Sequence, residues 1–406
     1  MMQHEPDSFQ EFHAVTPGGR NVRLRFSAVE HAGRLARARA EMRRRGLSAL
    51  LVFAQESHYY LTGFDTSGYV FFQVGIITVD DRPTVLLTRR PDLRQAETSS
   101  LYDDIRIWLN AEGADPARDL RGMLEELGCS GERVGVEFAT HGLTGANCRA
   151  VEAALTGLFT LEDASDLVRS LRLVKSPAEL GYVRRAGALA DAAVIAMLGA
   201  TRMGVLDSFV TAAGVAAMLE GGGDMPATGP LVNSGERALF GRGIGGPRRI
   251  ASPDQLMIEL GASFCRYHVC IEHTIAVGPV DQRQRDMTSL AVEALCEIIE
   301  AARPGRELGT LDDIHRRVLD RGGFASQRFA ACGYSLGATF RPTWMDVPPM
   351  IYSGNPLVME PGMVFFVHIM IPDTRTGLAA GVGQTFVIGN DEAERLSKIP
   401  LELHCR

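Results

Sequence analysis

The sequence predicts an α+β protein with two domains. Its 406 residues exceed the size of one typical hydrophobic core. Over roughly the first 160 residues, short apolar runs alternate with helical patterns, which is typical of a small α/β domain with helices over a mixed sheet. Long helical segments and further strands follow. We therefore place the two domains at residues 1–165 and 166–406.

The N-terminal domain is predicted from one amphipathic helix and several short strands. Ala28 to Arg45 has a helical pattern and ends at Gly46, a residue that favours helix termini. The first two dozen or so residues are polar and irregular and predict a partly ordered arm. The further predicted elements are helix Pro116–Leu127 and strands Ala49–Phe53, Val74–Val79, Thr84–Thr88 and Arg133–Phe138.

The C-terminal domain is predicted from long helical patterns and a set of strands. Glycine or proline follows several of the helical patterns, as expected at a helix end. The predicted helices are Glu179–Leu198, Met203–Glu220, Met287–Ala302 and Leu311–Arg321. The predicted strands are Gln255–Gly261, His268–Val277, Met363–Ile371 and Gly383–Ile388.

Composition excludes several classes of protein. With 46% apolar and 22% charged residues, the chain is typical of a soluble globular protein. A net charge of -7 gives no support for nucleic-acid binding, and the basic run Arg34 to Arg45 is interpreted as a solvated helix face. The longest apolar runs, such as Val70 to Val79, are too short to span a membrane, and the N-terminus shows no secretory signal. Seven cysteines without a Cys-x-x-Cys pair indicate a reducing, cytoplasmic setting.

The segment Met257 to Gly278 carries the strongest functional signal. Because side chains alternate faces along a strand, His268, Cys270 and Glu272 point to one face, and the apolar residues between them point to the other. The first face would carry an imidazole, a thiol and a carboxylate in a row. An ordinary half-solvated strand has the same alternation, so periodicity alone leaves both interpretations open.

Glu259 and His368 are polar residues within apolar strands. A carboxylate in the run LMIEL is costly unless it is paired, so Glu259 is either in a structural ion pair with an arginine or faces a pocket. Partial burial would raise its pKa and suit it to acid/base catalysis, and its ionised form would be a nucleophile. His368 also has two interpretations: it is either a core residue whose ring nitrogens are hydrogen-bonded, or a functional group.

Several motifs resemble the creatinase, prolidase and aminopeptidase P family, whose catalytic domain has the pita-bread fold. Leu171 to Leu180, LRLVKSPAEL, resembles the opening of that domain, and Met257 to Gly278 resembles its metal-binding hairpin. Gly333 to Gly337 resembles the family's turn Gly-His-Gly-x-Gly, and Pro361-Gly362-Met363 precedes a strand as it does there. The resemblance covers most of the chain. It implies a curved antiparallel sheet covered by helices, after a small N-terminal α/β domain.

All five positions that hold metal ligands in that family are changed. The matching residues are Glu259, Cys270, Tyr334, His368 and Gly383. Gln384 takes the place of Gly383 if the alignment shifts by one residue. The changes predict that the protein has no metal site and no other cofactor, and they speak against a dinuclear metallopeptidase.

The resemblance implies that the candidate catalytic residues Glu259, His368, Tyr334 and Cys270 share one pocket. Glu259 would activate water or attack directly, and His368 would take a proton or hold a substrate carboxylate. Tyr334 would donate a hydrogen bond to a developing oxyanion, or would only pack beside glycines. Cys270 is either a nucleophile or an inert buried thiol.

Further candidates would bind the substrate. Arg242 lies in the glycine-rich segment Gly235 to Gly246 and would pair with a carboxylate, unless the segment is only a flexible loop. That segment lacks the spacing of a phosphate-binding loop, which excludes nucleotide binding. The predicted substrate-binding residues of this domain are Arg242, His268, Glu272, Arg341 and Trp344.

The combined loss of ligands resembles the metal-independent branch of the family, creatinase and ectoine hydrolase. Arg266-Tyr267-His268 and the Gly333 to Gly337 turn with Trp344 beyond it look more like ectoine hydrolase. This implies hydrolysis of a C–N bond in a small, polar, zwitterionic molecule such as a cyclic amidine. Three alternatives stay open: a lyase or biosynthetic enzyme, an inert binding protein, and a peptidase-like mononuclear metalloenzyme that uses Glu259, Cys270 and His368.

The resemblance also implies a homodimer in which the N-terminal domain reaches the partner's pocket. His58 to Gly63, HYYLTG, resembles a turn of the family's N-terminal domain. The expected contacts are His58, Tyr60 and Tyr69, in or near that turn, unless these residues are engaged in local packing.

Overall fold

The computed structural model describes residues 11–406. The chain divides into two compact units, Met1–Arg172 and Leu173–Arg406. The predicted domains, 1–165 and 166–406, place the boundary just before a short helix, Leu167–Leu173. The start of the predicted N-terminal arm, residues 1–10, lies outside the described residues, as does the segment in which no secretory signal is predicted.

The N-terminal unit combines short strands with helices, as predicted. Its elements in chain order are β1 (Phe12–Val15), β2 (Asn21–Leu24), α1 (Ala28–Arg45), β3 (Ala49–Val52), α2 (Gln55–Thr62), β4 (Val74–Thr78), β5 (Val85–Arg89), α3 (Leu93–Ser99), β6 (Asp104–Trp108), α4 (Pro116–Glu126), β7 (Arg133–Val136), α5 (Gly145–Leu155), β8 (Thr160–Asp163) and α6 (Leu167–Leu173). Six strands form a mixed sheet with the order β6-β5-β4-β3-β7-β8. The predicted α/β character of this unit is confirmed.

Two expectations for this unit are wrong. Part of the predicted irregular arm is a hairpin, in which β1 pairs with β2. The segment HYYLTG belongs to helix α2 and is not a turn. The N-terminus of α2 is held by Glu137, whose carboxylate accepts hydrogen bonds from the Phe53 and Ala54 backbone and from the Ser57 hydroxyl at 2.6–3.0 Å. Because this acceptor comes from a distant part of the chain, local sequence does not reveal the helix.

The C-terminal unit contains the long helices and strands. Its further elements in chain order are α7 (Pro177–Ala200), α8 (Asp207–Glu220), β9 (Leu231–Ser234), β10 (Asp254–Phe264), β11 (Tyr267–Val277), α9 (Gln282–Ala301), α10 (Gly309–Arg321), β12 (Gly333–Ser335), β13 (Met350–Ile351), β14 (Val364–Asp373), β15 (Leu378–Ile388), β16 (Ala393–Arg395) and β17 (His404–Cys405). Serine and glutamate at the start of α7 form a reciprocal capping box, which the motif Ser176-Pro-Ala-Glu179 encodes.

One sheet organises this unit. Its strand order is β13-β12-β14-β15-β11-β10-β9, with β16 beside β15 and β17 beside β11. All of these pairs are antiparallel except the short β11–β17 pair. On one face, apolar side chains such as Phe365, Val367 and Ile369 pack with helices α9 and α10 in a closed core. The predicted α+β fold, with helices on an antiparallel sheet, is confirmed.

The opposite face of this sheet surrounds a cavity of about 820 Å³. Since side chains alternate along each strand, polar residues of β10, β11 and β14 reach this cavity while their neighbours enter the core. Within residues 11–406, each helix is too short or too polar to cross a membrane.

Candidate active site

Strand register brings two glutamates and a histidine into one row across the sheet. Glu259 of β10 lies directly opposite Glu272 of β11. Glu272 lies opposite Gly383 of β15, and Gly383 lies opposite His368 of β14. The side chains of Glu259, Glu272 and His368 therefore share the cavity face, and Gly383 adds no side chain between the last two.

Gly383 allows Glu272 and His368 to meet across the strand between them. His368 Nδ1 lies 3.5 Å from Glu272 Oε2. The ring of Phe366 stacks on the His368 imidazole, with centroids 5.4 Å apart and planes at 22°. A Cβ atom at position 383 would lie only 2.6 Å from Phe366 Cζ, so this ring occupies the space above the glycine. Alternation along β15 assigns Gln384 to the opposite face, so Gly383 is the residue in line with Glu272 and His368.

Tyr334 closes the other side of the row. Its hydroxyl lies 3.4 Å from Glu259 Oε1, to which it donates, and it accepts a hydrogen bond of 2.8 Å from the Trp344 indole. Trp344 itself packs over Gly261, where a Cβ atom would lie 3.0 Å from the indole ring. The tryptophan thus orients the tyrosine hydroxyl toward the glutamate.

A glycine-rich loop forms the rim of the cavity. Phe240 and Ile244 are 44% and 57% exposed there, and Arg242 lies between them. Asn233 of β9 ties the loop to the sheet, because its amide donates to the backbone carbonyls of Phe240 and Arg242 at 3.1 and 3.2 Å. The Arg242 guanidinium donates only weakly, to Gly241 O at 3.4 Å.

Burial and charge shift the proton affinities in this row. Burial raises the pKa of Glu259 to about 7, and the charge of Glu272 acts in the same direction. For His368, burial alone would lower the pKa, but the hydrogen bond and charge of Glu272 outweigh burial and raise the pKa above its ordinary value. Burial also raises the pKa of Tyr334 well above its usual range, so its hydroxyl keeps its proton. The row therefore combines a carboxylate that titrates near neutral pH, an imidazole whose protonated form is favoured, and a phenol.

Glu259 has no arginine or lysine within ion-pair distance among the described residues. The Tyr334 hydroxyl donates to it, Glu272 lies directly opposite, and the charges of His368 and Arg242 act on it from beyond ion-pair distance. The interpretation of Glu259 as half of a structural ion pair is therefore wrong. The residue faces the cavity instead.

The structure assembles five of the predicted site residues around the cavity and leaves four others of the C-terminal unit behind or outside it. The residues that line the cavity are Glu259, Glu272, Tyr334, His368 and Arg242. Trp344 is buried behind Tyr334, and Arg341 is exposed outside the lining. His268 is buried and accepts from Ala227 N at 3.0 Å, so it supports the wall and does not reach the cavity.

Cys270 is fully buried and does not line the cavity. Its sulfur lies close to the space above Gly261, under Trp344. Burial raises the pKa of the Cys270 thiol well above its usual range, and the charge of Glu259 acts in the same direction. A protonated, enclosed thiol is a poor nucleophile. This placement favours the inert interpretation.

The three residues expected at a partner's pocket are buried within the single chain. His58 is fully buried, and its Nδ1 lies 2.7 Å from the Tyr102 hydroxyl. Tyr60 and Tyr69 are also buried. They belong to helix α2 and a short turn of 3₁₀ helix, and their burial favours the local-packing alternative. That they reach a partner's pocket stays a prediction.

Sequence reasoning missed the apolar part of the site. Eight apolar side chains and the Phe366 ring surround the polar row; the eight are Leu231, Phe240, Ile244, Met257, Phe329, Met345, Met350 and Met370. Individually they are indistinguishable from core residues in the sequence. The two residues beside Arg242, Phe240 and Ile244, carry the one available signal, since large apolar residues are unusual in a glycine-rich loop.

The chain matches two family models. The model of metallopeptidase family M24 matches residues 181–390, and that of the creatinase/prolidase N-terminal domain matches residues 34–174. A hydrolase/peptidase of Sinorhizobium fredii is 27% identical over 94% of this chain and 98% of its own length. The ectoine hydrolase of Halomonas elongata is 24% identical over 94% of this chain and 98% of its own length. The crystal structure of dipeptidase PepE from Mycobacterium ulcerans superimposes with a TM-score of 0.81 at 22% identity, over 94% of this chain and 99% of that chain.

A metallopeptidase model implies metal ions, but the cavity's donors do not fit a metal centre. Glu259, Glu272 and His368 do not bring three ligand atoms within 4.8 Å of one another. The mononuclear set with Cys270 is not assembled either, since this thiol lies outside the cavity lining. At the position of Gly383, the Phe366 ring fills the space into which a further ligand would project.

Within residues 11–406, the group with metal-ligand spacing is Asp312, His315 and Cys332, and it lies outside the cavity. The buried Asp312 carboxylate already accepts hydrogen bonds from His315 Nδ1 at 2.9 Å, Arg316 Nε at 2.8 Å and Ser353 N at 3.0 Å. The bond from Ser353 N connects α10 with the segment after β13, and the bonds from His315 and Arg316 hold the carboxylate within α10. We interpret this carboxylate as a structural link.

Proposed function

The chain belongs to metallopeptidase family M24, and we propose that within this family it hydrolyses a C–N bond of a small molecule, other than an ordinary peptide bond, without a metal ion. The observation that carries the proposal is the Glu259 carboxylate, which faces the cavity beside the Tyr334 hydroxyl and has no arginine or lysine within ion-pair distance among the described residues. The ectoine hydrolase of Halomonas elongata gives a precedent for a non-peptide substrate among similar proteins.

In this reaction Glu259 acts as the general base. Its ionised carboxylate takes a proton from water as the water oxygen attacks the carbon of the C–N bond. As water adds, negative charge develops on the oxygen of an amide carbon or on the second nitrogen of an amidine carbon. Hydrogen bonds from Tyr334 and from the His368 imidazolium stabilise this charge. Glu259 then returns the proton to the leaving nitrogen, the C–N bond breaks, and the products are an acid or amide and an amine.

Glu272 acts through His368. Its Oε2 lies 3.5 Å from His368 Nδ1 and favours the protonated imidazole, since the raised pKa of His368 follows largely from Glu272. The neighbouring Phe366 ring holds the imidazole plane. Both are therefore positioning residues in the proposed reaction.

Turnover of the substrate in ¹⁸O-labelled water tests the proposal directly. Hydrolysis by wild-type protein in H₂¹⁸O places one heavy oxygen in the acid or amide product, as mass spectrometry detects. A product that forms without ¹⁸O would identify a lyase or another non-hydrolytic enzyme. A ligand that binds the cavity and leaves unchanged would identify a binding protein.

The pH profile of kcat/KM is expected to be bell-shaped. The rate should rise as pH increases through about 7, where Glu259 becomes ionised, and fall at higher pH as His368 loses its proton. In Glu272→Gln the falling limb should move to lower pH, because the group that raises the pKa of His368 is lost. A profile that is flat from pH 5 to 9, roughly the span of the two titrations, would exclude both groups from the reaction.

We also propose that the chain forms a homodimer. His58, Tyr60 and Tyr69 are buried in the single chain, whereas Phe71 and Leu109 of the same unit are about half exposed and apolar, which makes them the better candidates for the contact. Light scattering at working concentration should give the mass of two chains. The mass of a single chain would contradict the proposal.

A further inference from the structure

The cavity is larger than a small zwitterion requires. A volume of about 820 Å³ lies in the upper part of the range of about 300–1,000 Å³ that is usual for drug-sized ligands. A cyclic amidine of the size first expected would leave most of this space to water. The cavity therefore has room for a substrate that extends beyond the polar row of Glu259, Glu272 and His368.

The space beyond the row is bounded by apolar side chains. Four methionines, Met257, Met345, Met350 and Met370, are among them, and their flexible thioether chains adapt to the shape of an apolar group. Phe240 stands at the rim and is 44% exposed, although it is a large apolar residue. An exposed aromatic ring at the mouth of a cavity is typical of a binding surface.

The charges of the cavity favour an anion. Glu272 and His368 form a pair that is neutral as a whole. Glu259 is only partly ionised at neutral pH. Arg242 is a lining cation without an acidic partner within ion-pair distance among the described residues, and its charge acts on both Glu259 and His368. The rim thus offers one positive charge for a ligand carboxylate, whereas the negative charge of ionised Glu259 lies in the polar row, where the proposed reaction uses it as a base.

We infer, on the basis of the proposed function, that the substrate is an amphipathic monoanion in which the scissile C–N bond joins a carboxylate-bearing part to an apolar group of about the size of a phenyl or leucyl side chain. Arg242 binds the carboxylate at the rim, and the methionine wall with Phe240 contacts the apolar group. N-acyl amino acids and N-substituted amidino acids have this chemistry. A free ammonium group is not part of it, which separates this class from dipeptides and zwitterionic cyclic amidines.

The binding of small probe molecules to the full chain with the substitution Glu259→Gln tests this inference separately from turnover. Calorimetry would use four probes: N-benzoylglycinate, N-acetylglycinate, N-benzoylglycinamide and zwitterionic glycylglycine. We expect N-benzoylglycinate to bind at least about tenfold more tightly than each of the others, because only this probe combines the anion with the apolar group.

Two variant pairs in the same background assign the contacts. Arg242→Gln should weaken N-benzoylglycinate about tenfold or more and leave N-benzoylglycinamide unchanged, whereas Arg249→Gln, an exposed arginine outside the cavity lining, should change neither. Phe240→Ala should reduce the preference for benzoyl over acetyl, and Phe209→Ala, a similarly exposed ring outside the lining, should preserve it.

The possible outcomes separate the two proposals. Tighter binding of glycylglycine, equal binding of all four probes, or no binding at all would overturn the inference. The expected binding order, together with an absence of ¹⁸O in products from any N-acyl or amidino acid, would keep the inference and remove the proposed hydrolysis. Hydrolysis of a zwitterion alone would keep the hydrolysis and remove the inference.

Discussion

Glu259→Gln is expected to lower kcat by about 10²-fold or more while the protein stays folded. Glutamine keeps the shape of the side chain and its contact with the Tyr334 hydroxyl, but it cannot take a proton from water. Because the general base is lost and substrate contacts remain, KM should change much less than kcat. Steady-state kinetics on the substrate identified by product analysis would measure both constants.

The same variant has an expected effect on stability, which checks its folding. Burial raises the pKa of Glu259 from 4.5 to about 7, so the folded protein holds this proton more tightly than the unfolded chain. The stabilisation is complete below about pH 4.5 and is lost as pH rises through about 7. Glutamine has no proton to lose, so the melting temperature of Glu259→Gln should fall less than that of wild type between pH 5 and pH 8.

Cys270→Ser is the matched control on the neighbouring strand. Cys270 lies beside the same tyrosine but is enclosed and protonated, so its substitution should leave kcat within a few-fold of wild type. A thiol-directed alkylating agent should not label the enclosed Cys270 thiol, so no loss of activity should follow from modification of this residue. A folded Glu259→Gln protein with full turnover, or an inactive but folded Cys270→Ser protein, would move the chemistry from the carboxylate to another group.

Gly383→Ala is expected to destabilise the protein by about 1–3 kcal/mol and to lower kcat by about 10-fold to 10²-fold. The added methyl group would lie 2.6 Å from Phe366 Cζ and 3.0 Å from Glu272 Cβ, so the ring must move. Its displacement disturbs the stacking on His368 and the contact of His368 with Glu272. Chemical denaturation and steady-state kinetics would measure the two effects.

A control and a compensating substitution make this prediction specific. At Gly199, on helix α7, a Cβ atom meets nothing within 4 Å, so Gly199→Ala should stabilise by up to about 1 kcal/mol and leave kcat unchanged. Phe366→Leu removes the ring that alanine would meet, so the double variant should regain stability relative to Gly383→Ala. If Gly383→Ala retains wild-type stability and activity, the ring above the glycine has no positioning role.

Much of the fold follows from local patterns. Helix α1 has the predicted bounds because a serine cap and Gly46 define its two ends. Strands β10, β11, β14 and β15 were predicted because their apolar runs are long and bounded by turns. Helix α2 was not, because its N-terminus is held by Glu137 from a distant strand.

The polar half of the site was predictable and the apolar half was not. Alternation assigns Glu272 and His368 to faces of their strands, but only the pairing of both strands with β15 brings them together, and this pairing came from the family resemblance. Alternation also placed His268 and Cys270 on the face of Glu272, yet other side chains cover both. Phe366 and the methionines lacked any signal, since an apolar residue beside a cavity has the same local pattern as one in a core.

Metal content and activity of the same preparation test metal-independent hydrolysis most directly. Elemental analysis of active wild-type protein should find far less than one equivalent of zinc, manganese, cobalt or iron per chain. Activity should survive prolonged chelation, because Glu259, Tyr334 and His368 supply the proposed proton transfer and charge stabilisation. A full equivalent of one of these metals, with activity that is lost on chelation and restored when the metal is returned, would contradict the proposed mechanism.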